Sequence, residues 1–386
     1  MKKKFAMTLV TFASAAFLAA CGNVASTGSA TAAGTAIGDS VKIGINLEET
    51  GATGAYGSVE QRGALLAIEE INKAGGVDGK KFETFDYDNK SETTEATSVA
   101  TKLTSKDKVN VMIGPATSGA TAAAVKIADQ AGVPLITPSA SQDGLTKGHD
   151  SLFVTIFQDS FQGKILAKYA NDNLNAKKVI LYTDNGSDYA KGIAKAFREA
   201  YKGEIVADET FTAGDTDFQA SLTKLKGKEF DAIVIPGYYT EAGKIINQAR
   251  GMGIDKPILG PDGFNSEALV EQATAERANQ IYYVTGFSTT GDVTDKTKKF
   301  LEAYKAKYKE EPSMFAALAY DSVYMAAEAA KGAKTSIELR DNLAKLKDFE
   351  GVTGKMTIDA DHNTEKSALM VTMNQGKVEK FETVQP

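Results

Sequence analysis

Residues 41–76 run VKIGINLEETGATGAYGSVEQRGALLAIEEINKAGG, and their reading decides the fold. Residues 41–47 alternate in the manner of a strand, and a glycine-rich loop follows, Gly51-Ala52-Thr53-Gly54-Ala55-Tyr56-Gly57. Over 59–74 the apolar residues Ala64, Leu65, Ala67, Ile68 and Ile71 recur at helical spacing, and Gly75-Gly76 ends the helix. This is a strand, a short loop and a helix, and the unit repeats. Downstream, strands are expected at 82–86, 109–113 and 134–137, with helices over 92–105 and 118–131. The rhythm restarts at Phe153-Val154-Thr155-Ile156, with strands at 178–182, 204–208, 232–235, 257–259 and 281–285 between helices. Those helices are expected at 160–174, 189–201, 218–226 and 240–251, with a short one near Glu267. Helices over 294–308 and 316–331 precede a tail read as strands at 354–358, 368–373 and 378–381. Short βα connections imply mostly parallel sheets with helices on both faces. The fold class is therefore α/β, with two doubly wound lobes and ligands expected beyond the carboxyl ends of the strands.

Length and composition agree. A chain of 386 residues suits two lobes better than one, and 42% apolar with 24% charged residues is ordinary for a well-cored protein. The net charge of −6, with three of the lysines inside the first 20 residues, leaves no basic stripe for nucleic acid. One cysteine and two histidines exclude a disulfide scaffold or a Cys/His zinc site within one chain. The N-terminus has the form of an export signal, Lys2-Lys3-Lys4 and then an apolar run to Ala20, too short for a comfortable membrane span. It leads into Leu18-Ala19-Ala20-Cys21-Gly22, which resembles a bacterial lipobox, and that resemblance implies a lipidated Cys21 as the first mature residue. Two acyl chains suffice for stable anchoring. Residues 22–37, rich in Gly, Ala, Ser and Thr and free of charge, have the composition of a flexible tether.

Three loops after strands carry the candidate chemistry. In Ile113-Gly114-Pro115-Ala116-Thr117-Ser118-Gly119-Ala120-Thr121, Ser118 is expected as a helix N-cap, beside open backbone N–H groups that favour an anion such as a carboxylate. Thr137-Pro138-Ser139-Ala140-Ser141 again offers small hydroxyl residues, and Gly260-Pro261-Asp262-Gly263-Phe264 presents one carboxylate. An anion site opposite a carboxylate suits an amino-acid zwitterion. Each feature also has a plain structural reading: Ser118 as a cap, Asp262 as a turn residue, and Tyr56, Tyr189, Tyr238 and Phe315 as core aromatics.

In their order along residues 39–386, these loops, the 41–57 start and Pro236-Gly237-Tyr238-Tyr239 resemble the branched-chain amino-acid binding proteins of bacterial ABC importers, of type I periplasmic-binding fold. The resemblance implies two lobes joined by a hinge of three crossovers near residues 158, 285 and 366. Residues 1–20 would be the signal, 21–38 the lipidated cysteine and tether, 39–158 with 286–366 one lobe, and 159–285 with 367–386 the other. By position, Ser118 would meet the ligand carboxylate with its hydroxyl and N–H, helped by Ser141. The backbone of Ser139 and the charge of Asp262 would meet the ammonium group. Tyr56, Tyr189, Tyr238 and Phe315 would wall the side-chain pocket above a floor of Ala116 and Thr117. The family's leucine-type receptors carry glutamate at the acidic position, so the shorter Asp262 is a departure.

The implied partners are L-leucine, L-isoleucine or L-valine and the permease subunits of an ABC importer. A monomer is expected, lipid-anchored at the extracytoplasmic face of a Gram-positive type of cell membrane, with no cofactor, no metal and no nucleic acid. The competing readings are the same fold with another ligand (a polar amino acid, an amide or urea), a sensory receptor, or an exported α/β enzyme. Against the enzyme, the chain has no G-x-S-x-G elbow, no G-x-x-x-x-G-K-[ST] loop and no strict G-x-G-x-x-G. His149 and His362 are too far apart in sequence to suggest a pair, and Asp359-Ala360-Asp361 lacks the rest of a calcium loop.

Overall fold

The computed structural model describes residues 34–291 and 293–385, so the signal, Cys21 and most of the expected tether lie outside the described residues. The first half runs β1 (Ser40–Leu47), α1 (Gly54–Lys73), β2 (Lys81–Asp88), α2 (Thr93–Lys102), β3 (Val111–Ile113), α3 (Ser118–Ala131), β4 (Leu135–Thr137) and β5 (Leu152–Val154). Its five strands pair in parallel in the order β2-β1-β3-β4-β5. Because helices cover both faces of such a sheet, β1 is buried on both sides from Ile43 onward, and its alternation in sequence does not mark a solvent face. The polar residue in that stretch, Asn46, is fully buried; its Nδ2 donates to the Ala96 carbonyl at 3.0 Å and its Oδ1 accepts from Asn89. Burying Ile43, Ile45 and Leu47 contributes about 1.5–3 kcal/mol each.

The second half continues with α4 (Asp159–Asp172), β6 (Lys178–Asp184), α5 (Asp188–Ala200), β7 (Glu204–Phe211), α6 (Gln219–Lys226), β8 (Ala232–Val234), α7 (Tyr239–Gly251), β9 (Ile258–Gly260), α8 (Glu267–Ala273) and β10 (Ile281–Thr285). After it come α9 (Asp295–Tyr308), α10 (Met314–Ala330), α11 (Ser336–Leu343), β11 (Phe349–Gly351), β12 (Gly354–Ile358), β13 (Thr364–Glu365), β14 (Ala368–Asn374) and β15 (Lys377–Val384). The second sheet has the order β15-β14-β10-β9-β8-β6-β7, parallel except for the antiparallel β14 and β15 at one edge. Helix α10 packs against α1, β3 and β4 and so returns the chain to the first lobe, whereas β14 joins the second sheet. The chain thus crosses between the lobes after β5, after β10 and between β13 and β14, which forms the three-crossover hinge. Two of these crossings are tied together where Lys366 Nζ meets the Thr155 carbonyl at 3.4 Å.

One expectation needs correction. Residues 35–37, expected in the tether, are pinned to the first lobe: Ala36 bridges Thr335, the Ile37 N–H donates to the Lys334 carbonyl at 2.8 Å, and the Ile37 side chain is buried. An apolar residue next to a strand goes into the core even when its neighbours read as linker. Of the three tail strands, β12 pairs with β11 and β13 in a small separate sheet, whereas β14 and β15 join the second sheet.

Candidate ligand-binding site

In both lobes the loops at the carboxyl ends of the strands face the same cleft. The first lobe supplies Tyr56 from the first turn of α1, Ala116, Thr117 and Ser118 after β3, Ser139 after β4 and Phe315 from the start of α10; the second supplies Tyr189 from the start of α5, Tyr238 before α7, and Asp262 and Gly263 after β9. Together they line a small cavity between the lobes. Of the residues singled out in the sequence, Ser141 is the one missing from this lining. It is buried one layer back, with its backbone N–H 3.3 Å from Ser118 Oγ.

The floor is built differently from its expected form. Helix α3 begins at Ser118 itself, and the extended residue before it, Thr117, is the N-cap, so Ser118 is not the cap. Ser118 Oγ instead accepts from the N–H groups of Ser141 and Gln142, tying two loops together. The N–H groups of Ala116 and Thr117, expected to be open, are taken by Glu48 at the end of β1. Its Oε2 accepts from Ala116 N at 2.9 Å, and its Oε1 from Thr117 N at 3.1 Å and Thr117 Oγ1 at 2.8 Å. Burial raises the pKa of Glu48, and these three donors oppose the rise. Ser118 N–H and the next amides of the first turn have no partner within the helix, so this part of the loop still has donors of the kind that suit an anion. Gly114 allows the approach: its φ of +88° and a Cβ that would fall 2.3 Å from the Asn46 carbonyl exclude a side chain there.

Ser139 is held from behind by a second buried acid. Its Oγ lies 2.5 Å from Glu60 Oε1 and 3.0 Å from the Ala116 carbonyl. A serine has one proton, so Ser139 donates to Glu60 or to the Ala116 carbonyl, and a protonated Glu60 would donate to Ser139 and leave the serine proton for Ala116. Desolvation lifts the Glu60 pKa well above the carboxylate range, as a protonated acid requires.

On the opposite wall Asp262 is buried, accepts from Tyr189 Oη at 2.6 Å and is fixed by its own N–H donating to Gln162 Oε1 at 2.9 Å. Burial pushes its pKa up to about 6, with the Tyr189 hydrogen bond opposing the rise. Behind it, Asp159 at the start of α4 is fully buried, and neither of its carboxyl oxygens has a hydrogen-bond partner. Its pKa stands well above the usual range, first through desolvation and then through the charge of Asp262. The lining contains no basic side chain. The side wall is aromatic: Tyr189 stacks on Tyr238 at 4.9 Å, Tyr56 meets Tyr238 edge-on at 5.7 Å, and Phe315 leans on Tyr56 at 4.5 Å. Two of the tyrosine hydroxyls are already engaged, Tyr189 with Asp262 and Tyr56 with the Gly263 carbonyl at 2.5 Å, so those rings offer apolar faces.

Glu48, Glu60, Asp159 and Gln162 were not read from the sequence as site residues. Glu48 could have been, because it stands immediately beyond a strand's carboxyl end, and Glu60 because it falls four residues after Tyr56 on the buried face of α1. The two histidines take separate roles, His149 Nδ1 lying 2.6 Å from Asp129 and His362 stacking on Phe153. Asp359 Oδ1 closes a turn by accepting from Asp361 N and Asn363 N. Among the described residues no cluster of metal-ligating side chains occurs.

The sequence pattern of the periplasmic binding proteins matches residues 40–377. The chain belongs to that family. Its relatives are binding proteins, not enzymes, and they narrow the type. The leucine-, isoleucine-, valine-, threonine- and alanine-binding protein of Pseudomonas aeruginosa is 31% identical over 83% of this chain and 86% of its own. The Leu/Ile/Val-binding protein of Escherichia coli is 30% identical over 72% of this chain and 75% of its own. Among solved structures, the branched-chain amino acid transporter substrate-binding protein LivJ of Streptococcus pneumoniae, in complex with isoleucine, is 69% identical with a TM-score of 0.89, covering 90% of this chain and all of its own. The leucine-binding protein LivK of Thermotoga maritima follows at 31% and 0.84, over 90% of this chain and 99% of its own.

Proposed function

We propose that this chain captures L-leucine, L-isoleucine or L-valine between its lobes and delivers it to the permease of an ABC importer. The observation that carries the reading is a cavity too small for a polymer, with one buried carboxylate on one lobe, a helix N-terminus on the other and an aromatic wall between them. A zwitterion with an aliphatic side chain is complementary to all three. Its ammonium group would meet Asp262 and the Ser139 backbone, and its carboxylate Ser118, with Ser141 holding Ser118 from behind. Its side chain would lie against Tyr56, Tyr189, Tyr238 and Phe315, over Ala116 and Thr117. The isoleucine complex of the 69% identical relative supports the same ligand class.

The lobes would comprise 39–158 with 286–366 and 159–285 with 367–386. Binding to one lobe recruits the other, and closure excludes water so that the charged contacts strengthen. The lipobox-like Leu18 to Gly22 supports anchoring through Cys21 at the extracytoplasmic face of the membrane, where a monomer on a Gram-positive type of cell is the state we propose. A thermal-shift panel of the twenty amino acids and urea tests the ligand. Leucine, isoleucine or valine at 100 times its dissociation constant should stabilise the fold by about 2.7 kcal/mol. No shift with any aliphatic amino acid, or a shift with urea instead, rejects the reading.

A further inference from the structure

The mouth of the cleft carries a second set of contacts between the lobes, set apart from the cavity. Tyr239 and Thr240 open α7 on the second lobe, and neither lines the cavity. Tyr239 Oη donates to the Ala52 carbonyl at 3.1 Å and accepts from Ala55 N at 3.2 Å, while Thr240 Oγ1 donates to the same carbonyl at 2.8 Å. The Tyr239 ring stands edge-on to Tyr56 at 4.9 Å, and its side chain is buried. The 51–55 loop that receives these bonds is fixed on its own lobe. Ser91 Oγ bonds the Thr53 hydroxyl and amide and donates to the Thr50 carbonyl at 2.7 Å. Gly51 has a φ of +89°, and a Cβ on it would fall 2.3 Å from the Lys90 carbonyl. The loop's contacts on its own lobe thus hold Ala52 O and Ala55 N independently of the bonds they make to the second lobe.

We propose that Tyr239 and Thr240 with the 51–55 loop form a latch that helps set the free energy of closure, and with it the affinity for every ligand alike, while touching none of them. The proposal rests on the closing-lobe reading above. A group that meets the ligand changes both affinity and ranking, whereas a group that acts only on closure multiplies every dissociation constant by the same factor. Tyr239 is on this account a positioning residue, and the glycine-rich stretch that opens the sequence reading serves closure as well as the turn into α1.

The test uses the mature chain with Tyr239→Phe and, on the more open rim, Thr240→Val. The Tyr239 backbone N–H, 3.3 Å from Tyr56 Oη, is untouched in both. Calorimetry with leucine, isoleucine and valine should show all three dissociation constants raised about tenfold in the first variant and about threefold in the second. Ligand ratios should be preserved within about twofold, with faster dissociation and an unchanged melting temperature of the unliganded protein. Unchanged affinities in both variants overturn the latch, as does a loss confined to one ligand, which would mean Tyr239 shapes the pocket through Tyr56. If the wild type binds none of the three, the ligand reading fails; the same comparison is then made with whichever two ligands of the panel bind best, and the latch stands or falls on those.

Discussion

The two halves of the cavity are built on opposite plans. The first lobe offers small residues whose positions are set by backbone hydrogen bonds, and its acids stand behind them: Glu48 clamps Ala116 and Thr117, and Glu60 holds Ser139. The second lobe puts its acid at the surface of the cavity, with Asp262 lining it and Tyr189 and Gln162 in support, and leaves the Asp159 carboxyl without a partner. A carboxylate whose oxygens are filled by neighbouring donors fixes shape and has few lone pairs left for a ligand. A desolvated one with a raised pKa gains most from an incoming cation. The first lobe is thus a cradle and the second supplies the charge.

The largest expected effect follows from that division. Asp262→Ala should weaken branched-chain amino-acid binding by about 100-fold or more, since a buried ammonium group left without its carboxylate costs about 2–5 kcal/mol. Circular dichroism should show the unliganded protein still folded. The wild-type pH dependence has a defined sign. Because the folded pKa of Asp262 is raised to about 6 from 3.8, its protonation stabilises the unliganded fold at low pH, and this contribution is lost as pH rises through about 6. Ligand binding needs the charged form, so affinity should fall as pH drops through about 6. An affinity independent of pH between 5 and 7.5 would show that the ammonium contact lies elsewhere.

Next comes the cradle. Glu48→Ala removes three hydrogen bonds and orphans the amides of Ala116 and Thr117, so urea unfolding should show a loss of about 3 kcal/mol. Affinity should fall by less than in Asp262→Ala, because Ser118 is also held through Ser141 and Gln142. Equal stability to wild type would mean that packing alone shapes the loop.

How far the sequence could be read follows the same division. The βα rhythm, the strand-end loops and nearly all of the cavity lining were legible, because small residues after strands and aromatics at helix starts carry a local signal. The supporting acids were harder to place. Glu48 and Glu60 look like solvated surface charges until the sheet order puts β1 inside and α1 against α10. Ser118 reads as a cap because local pattern cannot show that Glu48, 70 residues before it, takes the neighbouring amides. The latch was invisible for the same reason, as Ala52 and Tyr239 have no relation in sequence until the lobes meet.

The smallest effect is the most discriminating about the cradle. If Glu60 is a neutral donor to Ser139, then Glu60→Gln keeps an N–H donor at the same place and should cost under about 1 kcal/mol in stability, with affinity within about threefold. Glu60→Ala leaves Ser139 Oγ without its donor and opens a cavity beneath it, costing about 2–3 kcal/mol. If Glu60 holds its proton across the pH interval in which Asp262 titrates, Glu60→Gln should leave the pH profile of binding unchanged. Were Glu60 instead an ionised acceptor, the amide would present the wrong group to Ser139, and the Gln variant would be as costly as the Ala variant. That outcome would place a net charge behind the first lobe's wall and end its distinction from the second.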